Sequence, residues 1–124
     1  MYRLNRIIYH CDIPASCNVE GAYFCHEGFG IVINGNSTIG KGTVVQHGVT
    51  IGELNSGEGV PNIGKNCYIG ARAILLGNIT VGDNAKIGAG AVVLNDVPEG
   101  ATAVGVPAKL YNVNKKGEYN NEKH

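Results

Sequence analysis

Branched aliphatic residues recur along most of this chain at positions separated by multiples of six. A period of six fits neither an α-helix, which repeats every 3.6 residues, nor a simple strand, which repeats every two. It predicts a solenoid, in which each group of six residues, here called a hexad, forms one short strand and one corner. The recurring aliphatic residues are Ile33, Ile39, Val45, Ile51, Ile63, Ile69, Leu75, Val81, Ile87 and Val93.

Two further positions of the hexad follow the same rhythm. The residue after the aliphatic is often glycine, which we expect to ease the corner because glycine reaches positive φ without a Cβ clash. The residue four places after the aliphatic is small or β-branched, and we expect it to point inward as well. Since no hexad can bury its apolar side alone, stability must come from stacking on neighbouring coils. The small or β-branched residues are Thr43, Val49, Cys67, Ala73, Ala85 and Ala91.

Composition excludes several classes of function. The chain has 124 residues, which predicts one domain, and a net charge of zero, which argues against nucleic-acid binding. It contains no apolar run long enough for a membrane span, and its first residues lack the apolar core of a signal peptide. Cys17, Cys25 and Cys67 fall on inward positions, which favours buried thiols over disulfides or a metal site, and hence a cytoplasmic location.

The six-residue rhythm is interrupted at two places. At residues 25–34 one phase ends with Ile31 and another starts two residues later, at Ile33. Residues 53–62 keep the phase but have Gly57 where an aliphatic residue is due. The composition of this second segment predicts an extruded, flexible loop.

Individual hexads resemble those of a known superfamily. The segments I-G-K-N-C-Y, I-G-A-R-A-I and I-G-A-G-A-V, together with G-V-P-A-K-L at 105–110, are similar to the hexapeptide repeats of the acyltransferases that fold as left-handed β-helices. The resemblance implies an all-β fold: a single-stranded left-handed parallel β-helix of about five triangular coils, with three hexads in each coil. Residues 1–12 would be a lead-in, 13–110 the β-helix with its loop at 53–62, and 111–124 a polar, loosely held tail.

Other segments resemble one particular group of enzymes within this superfamily. G-I-V-I-N at 30–34, H-G-V-T-I-G at 47–52 and L-G-N-I-T-V-G at 76–82 are similar to serine acetyltransferase and to its relatives that O-acetylate sugars of surface polysaccharides. This implies a homotrimer that moves acetyl from acetyl-CoA to a hydroxyl of a small acceptor, with the co-substrate between adjacent prisms and no metal. The chain does not match the tail through which serine acetyltransferase binds cysteine synthase, so no such anchor is expected.

Stacking predicts where a site would lie. If a coil holds about 18 residues and the first interruption adds two, residue 47 lies above residue 27 and residue 46 above residue 26. His26 and Glu27 would then lie beside Gln46 and His47 on one edge of the prism. Two histidines, a carboxylate and an amide at one edge predict a catalytic site rather than ordinary surface polarity.

The resemblance suggests roles for these residues. In serine acetyltransferase an aspartate directly precedes the catalytic histidine, and a gapless alignment puts that histidine on Glu27, whereas some sugar-type relatives have theirs at His26. We predict that His26 is the general base, because an imidazole can accept the hydroxyl proton near neutral pH. Asp12 or Glu27 would orient it, with Glu27 as the alternative base. Gln46 and His47 would contact the acceptor, or His47 would act as a second base.

The resemblance also has implications for the acceptor and for the co-substrate. A second histidine of serine acetyltransferase falls on Val60, which leaves the acceptor open between serine and a sugar. For acetyl-CoA, the matching positions are Ala71 and Ala89 along the pantetheine arm and Lys86 and Lys109 at the phosphates.

Two other functions are possible on such a scaffold. A zinc site of the γ-carbonic-anhydrase kind needs three converging histidines that include a close pair, and the four histidines of this chain include none. The other alternative is a non-catalytic trimeric scaffold, or a decayed homologue that still binds CoA.

Overall fold

Short strands account for all the regular structure that is described. The computed structural model describes residues 21–24, 30–113 and 119–122. None of these residues is helical, so no described helix could cross a membrane. The strands are β1 Tyr23–Phe24, β2 Val32–Ile33, β3 Thr38–Ile39, β4 Val44–Val45, β5 Thr50–Gly52, β6 Asn62–Ile63, β7 Tyr68–Ile69, β8 Ile74–Leu76, β9 Thr80–Val81, β10 Lys86–Ile87, β11 Val92–Val93, β12 Thr102–Val104, β13 Lys109–Val113 and β14 Tyr119–Glu122.

The strands form three sheets that the chain visits in rotation. The first face holds β2, β5, β8 and β11, the second β3, β6 and β9, and the third β1, β4, β7, β10 and β12, followed by β13 and β14. Each circuit of the three faces is one triangular coil, and we name the corners by the faces they join. The first corner comprises residues 34–37, 53–61, 77–79 and 94–96; the second comprises 40–43, 64–67, 82–85 and 98–101; the third includes 46–49, 70–73 and 88–91.

The inward positions of the hexad form the core as predicted. All ten recurring aliphatic residues are buried, and so are the six small or β-branched residues four places after them. Strands of adjacent coils pair in parallel, with the aliphatic of one coil opposite the aliphatic of the next, as in Ile51 and Leu75. Sheet hydrogen bonds and the stacked core therefore act along the same axis.

Coil length varies, and the variation is confined to corners. Asn62 pairs with Thr80, a separation of three hexads, whereas Thr38 pairs with Asn62, a separation of four. The loop at 53–61 is therefore one hexad added to a regular coil. Lys86 pairs with Thr102, a separation of 16 residues, which is two fewer than three hexads. This shortening lies at residues 94–96 and was not predicted from the sequence.

The first interruption of the rhythm differs from the prediction. Val32 pairs with Thr50, a separation of 18 residues, which is a regular coil of three hexads. Tyr23 pairs with Val44, a separation of 21 residues, which is three more than a regular coil. The excess is therefore three residues rather than the predicted two. The count was wrong because the earlier phase was taken to run through Cys25 and Ile31, whereas the residue that pairs with Val45 is Phe24, which is buried. Ile31 is buried at the position that Val49 occupies in the next coil.

The glycines that follow the aliphatics serve a different purpose from the one predicted. Gly40 does not have a positive φ, and a Cβ there would lie 2.5 Å from the backbone carbonyl of Gly64 in the next coil. Glycine is needed because the adjacent backbone leaves no room. Positive φ occurs two residues later instead, for example at Gly42 (82°) and Asn66 (57°).

The polar tail also departs from the prediction. Strand β13 turns back to pair antiparallel with β12, and β14 pairs antiparallel with β13. The third face therefore ends in an antiparallel hairpin rather than in a loosely held segment.

A pair of alanine substitutions tests the role of the close coil contact. Gly40→Ala places a methyl against backbone that cannot move without disturbing two coils, so we expect a loss of about 1–3 kcal/mol in the free energy of unfolding. Gly52 also follows an aliphatic, but the nearest atom to an added Cβ is Leu76 Cδ2 at 3.9 Å. Gly52→Ala should therefore leave stability unchanged or raise it by up to about 1 kcal/mol. Equal urea midpoints for the two variants would contradict this account.

Candidate active site

One column of residues at the third corner unites positions that the sequence suggested for separate reasons. The backbone N–H of Arg72 donates to the carbonyl of His47 at 2.9 Å, and the N–H of Gly90 donates to the carbonyl of Ala71 at 2.9 Å. His47, Ala71 and Ala89 therefore lie above one another in three successive coils. The predicted acceptor contact shares this corner with both predicted pantetheine positions.

Gln46 and His47 mark the point where the chain leaves the third face. The N–H of Gln46 donates to the carbonyl of Ile69 at 3.0 Å and ends the pairing of β4 with β7. Both side chains are half-buried at the edge of the prism. They are thus held by a rigid corner rather than by a long loop.

The predicted catalytic residues Asp12, His26 and Glu27 lie outside the described residues. The chain leaves the third face after β1 and enters the first face at β2, and the later connections between these two faces, 46–49, 70–73 and 88–91, form the third corner.

The two lysines predicted to bind phosphate both belong to the third face. Lys86 is exposed on β10 between Tyr68 and Thr102, and Lys109 is exposed on β13 opposite Val104. This face adjoins the third corner, since Lys86 precedes Ala89 by three residues. Two cations therefore border a column lined by alanines.

The extruded loop is present, but it leaves the prism at a different corner. Residues 53–58 are exposed, and the loop is braced internally by the Gly57 N–H, which donates to Glu53 Oε2 at 2.8 Å. Val60 and Pro61 are buried and anchor its end. The loop therefore leaves the prism at the first corner, whereas His47, Ala71 and Ala89 lie at the third corner.

Arg72 was not selected from the sequence, although its backbone is the most unusual at this corner. Its φ is +62°, whereas the equivalent residues of the column are Gly30, Gly48 and Gly90, at +70°, +72° and +71°. An L-residue with a long side chain pays about 1–2 kcal/mol for this conformation. The sequence carried a signal, since I-G-A-R-A-I has arginine where I-G-A-G-A-V has glycine.

The described part of the chain gives no support to a metal site. No group of three or more His, Cys, Asp or Glu residues is placed to hold an ion within residues 21–24, 30–113 and 119–122. Cys67 is a buried thiol as predicted, with its Sγ donating to the carbonyl of Gly82 at 3.1 Å. Cys17 and Cys25 lie outside the described residues.

Comparison with known proteins places this architecture in a family. Residues 61–95 match the bacterial transferase hexapeptide family (six repeats). Over 112 residues the chain is 39% identical to an Escherichia coli K12 protein provisionally assigned as the colanic acid biosynthesis acetyltransferase WcaB, covering 86% of this chain and 69% of that protein. The chain belongs to the hexapeptide-repeat acyltransferases. Over 120 residues it is also 41% identical to the serine acetyltransferase of Synechocystis sp. PCC 6803, covering 95% of this chain and 47% of that enzyme.

Solved structures of this family confirm the left-handed β-helix predicted from the hexads. Soybean serine acetyltransferase, as the apoenzyme, superimposes with a TM-score of 0.76 at 43% identity, covering 81% of this chain and 42% of that one. Serine acetyltransferase from Brucella abortus S19 in complex with coenzyme A gives 0.77 at 36% identity, covering 84% and 42%. The chain therefore spans less than half the length of these serine acetyltransferases.

The buried thiol of Cys67 predicts a pH dependence of stability. Burial raises the pKa of Cys67 above its ordinary value, so the unfolded chain loses this proton at lower pH than the folded chain does. The contribution to stability is complete below the ordinary thiol pKa and is lost as pH rises through the folded pKa. Relative to Cys67→Ala, the wild-type protein should lose unfolding free energy above about pH 9.

Alanine is a suitable replacement, because Ala73 and Ala85 fill equivalent inward positions. Urea unfolding of both proteins under reducing conditions at neutral and alkaline pH measures the difference. A difference that stays constant across this range would show that the thiol does not titrate differently in the two states.

Proposed function

We propose that this protein transfers an acetyl group from acetyl-CoA to a hydroxyl of a small acceptor, either serine or a sugar of a surface polysaccharide. Transfer would occur by general-base catalysis in a ternary complex. The observation that carries the proposal is the column of His47, Ala71 and Ala89 at the third corner. His47 is a candidate acceptor contact, and the two alanines are small residues along the same edge of the prism. The similar proteins that carry a named activity are acetyltransferases, and one is described in complex with coenzyme A.

The residues at this corner fit the shape and charge of acetyl-CoA. Ala71 and Ala89 leave room along the edge for a narrow pantetheine arm, and a Cβ added at Gly90 would meet nothing within 4 Å. Lys86 and Lys109 on the adjoining face supply positive charge for the phosphates. Bound in this way, acetyl-CoA would present its thioester carbonyl near His47.

We favour His26 over Glu27 as the base, because a neutral imidazole accepts a proton near neutral pH more readily than a carboxylate does. His47 lies in the column at the third corner, where the acceptor would bind.

The chemistry then proceeds by a balanced acyl transfer. The imidazole of His26 takes the proton from the acceptor hydroxyl as its oxygen bonds to the thioester carbonyl carbon. Asp12 or Glu27 orients the ring and stabilises the imidazolium. Backbone N–H groups at the corner stabilise the tetrahedral oxyanion. Collapse breaks the C–S bond, and the imidazolium returns the proton to the CoA thiolate.

A homotrimer would complete the site. The outward residues of the first face include Val32, which is 44% exposed, together with Ile74 and Val92. The second face presents Thr38 and Asn62, joined by a 2.8 Å hydrogen bond. Of these two faces, the apolar first face is the better packing surface for a neighbouring copy. The loop at 53–61 follows β5 and borders that face.

A cytoplasmic location accompanies this proposal, because the free buried thiol of Cys67 is typical of a reducing compartment. Acceptors would be small molecules; the charge balance of the chain gives no basis for nucleic-acid binding.

Acceptor-dependent release of CoA tests the activity directly. Purified protein with acetyl-CoA should release thiol when given L-serine, a hexosamine or a nucleotide sugar, and the responsive acceptor identifies the substrate class. Calorimetry with CoA provides the parallel measurement. CoA binding without release from any acceptor would support the decayed homologue, and neither binding nor release would support the scaffold.

Two substitutions test the assignment of the base. His26→Ala should lower kcat by about 10²- to 10⁴-fold, because the hydroxyl loses its proton acceptor. Glu27→Gln should have a smaller effect, confined to orientation of the ring. Size-exclusion chromatography with light scattering should show that both variants keep the assembly of the wild-type protein. An inactive Glu27→Gln beside an active His26→Ala would move the base to Glu27.

A further inference from the structure

Arg72 occupies a backbone position that this fold otherwise gives to glycine. Three other coils make the same third-corner turn with Gly30, Gly48 and Gly90, at φ values within ten degrees of that of Arg72. Among the described residues, the other non-glycine residues with positive φ are Asn66 and Asn84, and asparagine adopts this conformation far more readily than arginine. Since the turn itself does not need arginine, its side chain is the feature to be explained.

The side chain of Arg72 lies on the His47 side of the corner. Its Cγ is 3.1 Å from the position that a Cβ of Gly48 would occupy, closer than its own Cα at 3.6 Å. The stem therefore folds back over Gly48, the residue after His47, and the absence of a side chain on Gly48 makes room for it. Gly90, on the opposite side, has no neighbour within 4 Å of such a position.

The charge of Arg72 is available for a ligand. The residue is exposed, and no carboxylate within residues 21–24 and 30–113 forms an ion pair with it. Lys86 and Lys109 lie on the third face in later coils, so they already supply charge for CoA phosphates in the proposed function. Arg72 adds a cation beside His47, where the acceptor is proposed to bind.

We propose that Arg72 is a specificity-determining residue that binds an anionic group on the acceptor, so that the preferred substrate is a hydroxyl compound carrying a carboxylate or a phosphate. A guanidinium presents two parallel N–H donors that match either group in a bidentate pair. This inference rests on the proposed function and deepens it, because it names the chemical class of the acceptor.

Matched neutral and anionic acceptors test the proposal. Acetyl transfer is measured with galactose against galacturonate and galactose 1-phosphate, and with L-serinamide against L-serine, which distinguishes carboxylate from phosphate. We expect the wild-type protein to prefer at least one anionic acceptor by about tenfold or more in kcat/KM. Arg72→Gln should abolish that preference without changing the KM for acetyl-CoA, and Arg72→Lys should retain part of it.

Two controls separate recognition from structure. Lys65→Gln removes an exposed cation from the second corner of the same stack and should keep the preference. Arg72→Gly restores the residue used in the other coils, so it should melt at or above the wild-type temperature while losing the preference. The proposal is overturned if the wild-type protein shows no preference for anionic acceptors, or if Arg72→Gln keeps that preference. It is also overturned if the only effect of Arg72→Gln is a raised KM for acetyl-CoA.

Failure of the proposed function gives a different result. In that case no variant transfers acetyl to any acceptor, neutral or anionic. Calorimetry of the same five compounds with the wild-type protein and Arg72→Gln then decides the role of Arg72. Tighter binding of an anionic compound that depends on Arg72 supports it, and the absence of such binding refutes it.

Discussion

Hydrogen bonding between successive coils is the constraint on which the rest of this structure depends. Each of the strands β1–β12 is only two or three residues long, too short to be stable alone, and it is held by parallel pairing with strands of adjacent coils. Such pairing places equivalent residues of different coils directly above one another. The site is a consequence of this geometry, since residues far apart in sequence, such as His47 and Ala89, come to share one edge.

The same constraint decides where the chain can vary. Strand pairing and the buried aliphatics fix the faces, so insertions and deletions are absorbed at corners: a whole hexad at 53–61, and two residues fewer at 94–96. The outward side chains at corners are also free of the inward packing rule. A repetitive scaffold can thus acquire a specific surface without any change in its core.

The inward positions could be predicted because burial imposes a strict period, and every recurring aliphatic is buried. Coil register was harder, because Phe24 and Cys25 are adjacent apolar residues and either could hold the inward position. Only the pairing of Phe24 with Val45 distinguishes them. The glycine that follows many of the aliphatics was recognised for the wrong reason, since lack of space and positive φ select the same residue. The final hairpin escaped prediction because antiparallel pairing does not depend on the hexad. The roles of Asp12, His26 and Glu27 rest on the sequence alone, because these residues lie outside the described part of the chain.

The antiparallel hairpin at the end of the third face has a consequence for the molecule as a whole. A stack of parallel strands ends in unpaired N–H and C=O groups, which could continue the stack with strands from another molecule. Strand β13 occupies that edge of β12 and runs in the opposite direction. At this end of the stack, the third face thereby loses the parallel template along which another solenoid could extend it into a fibre.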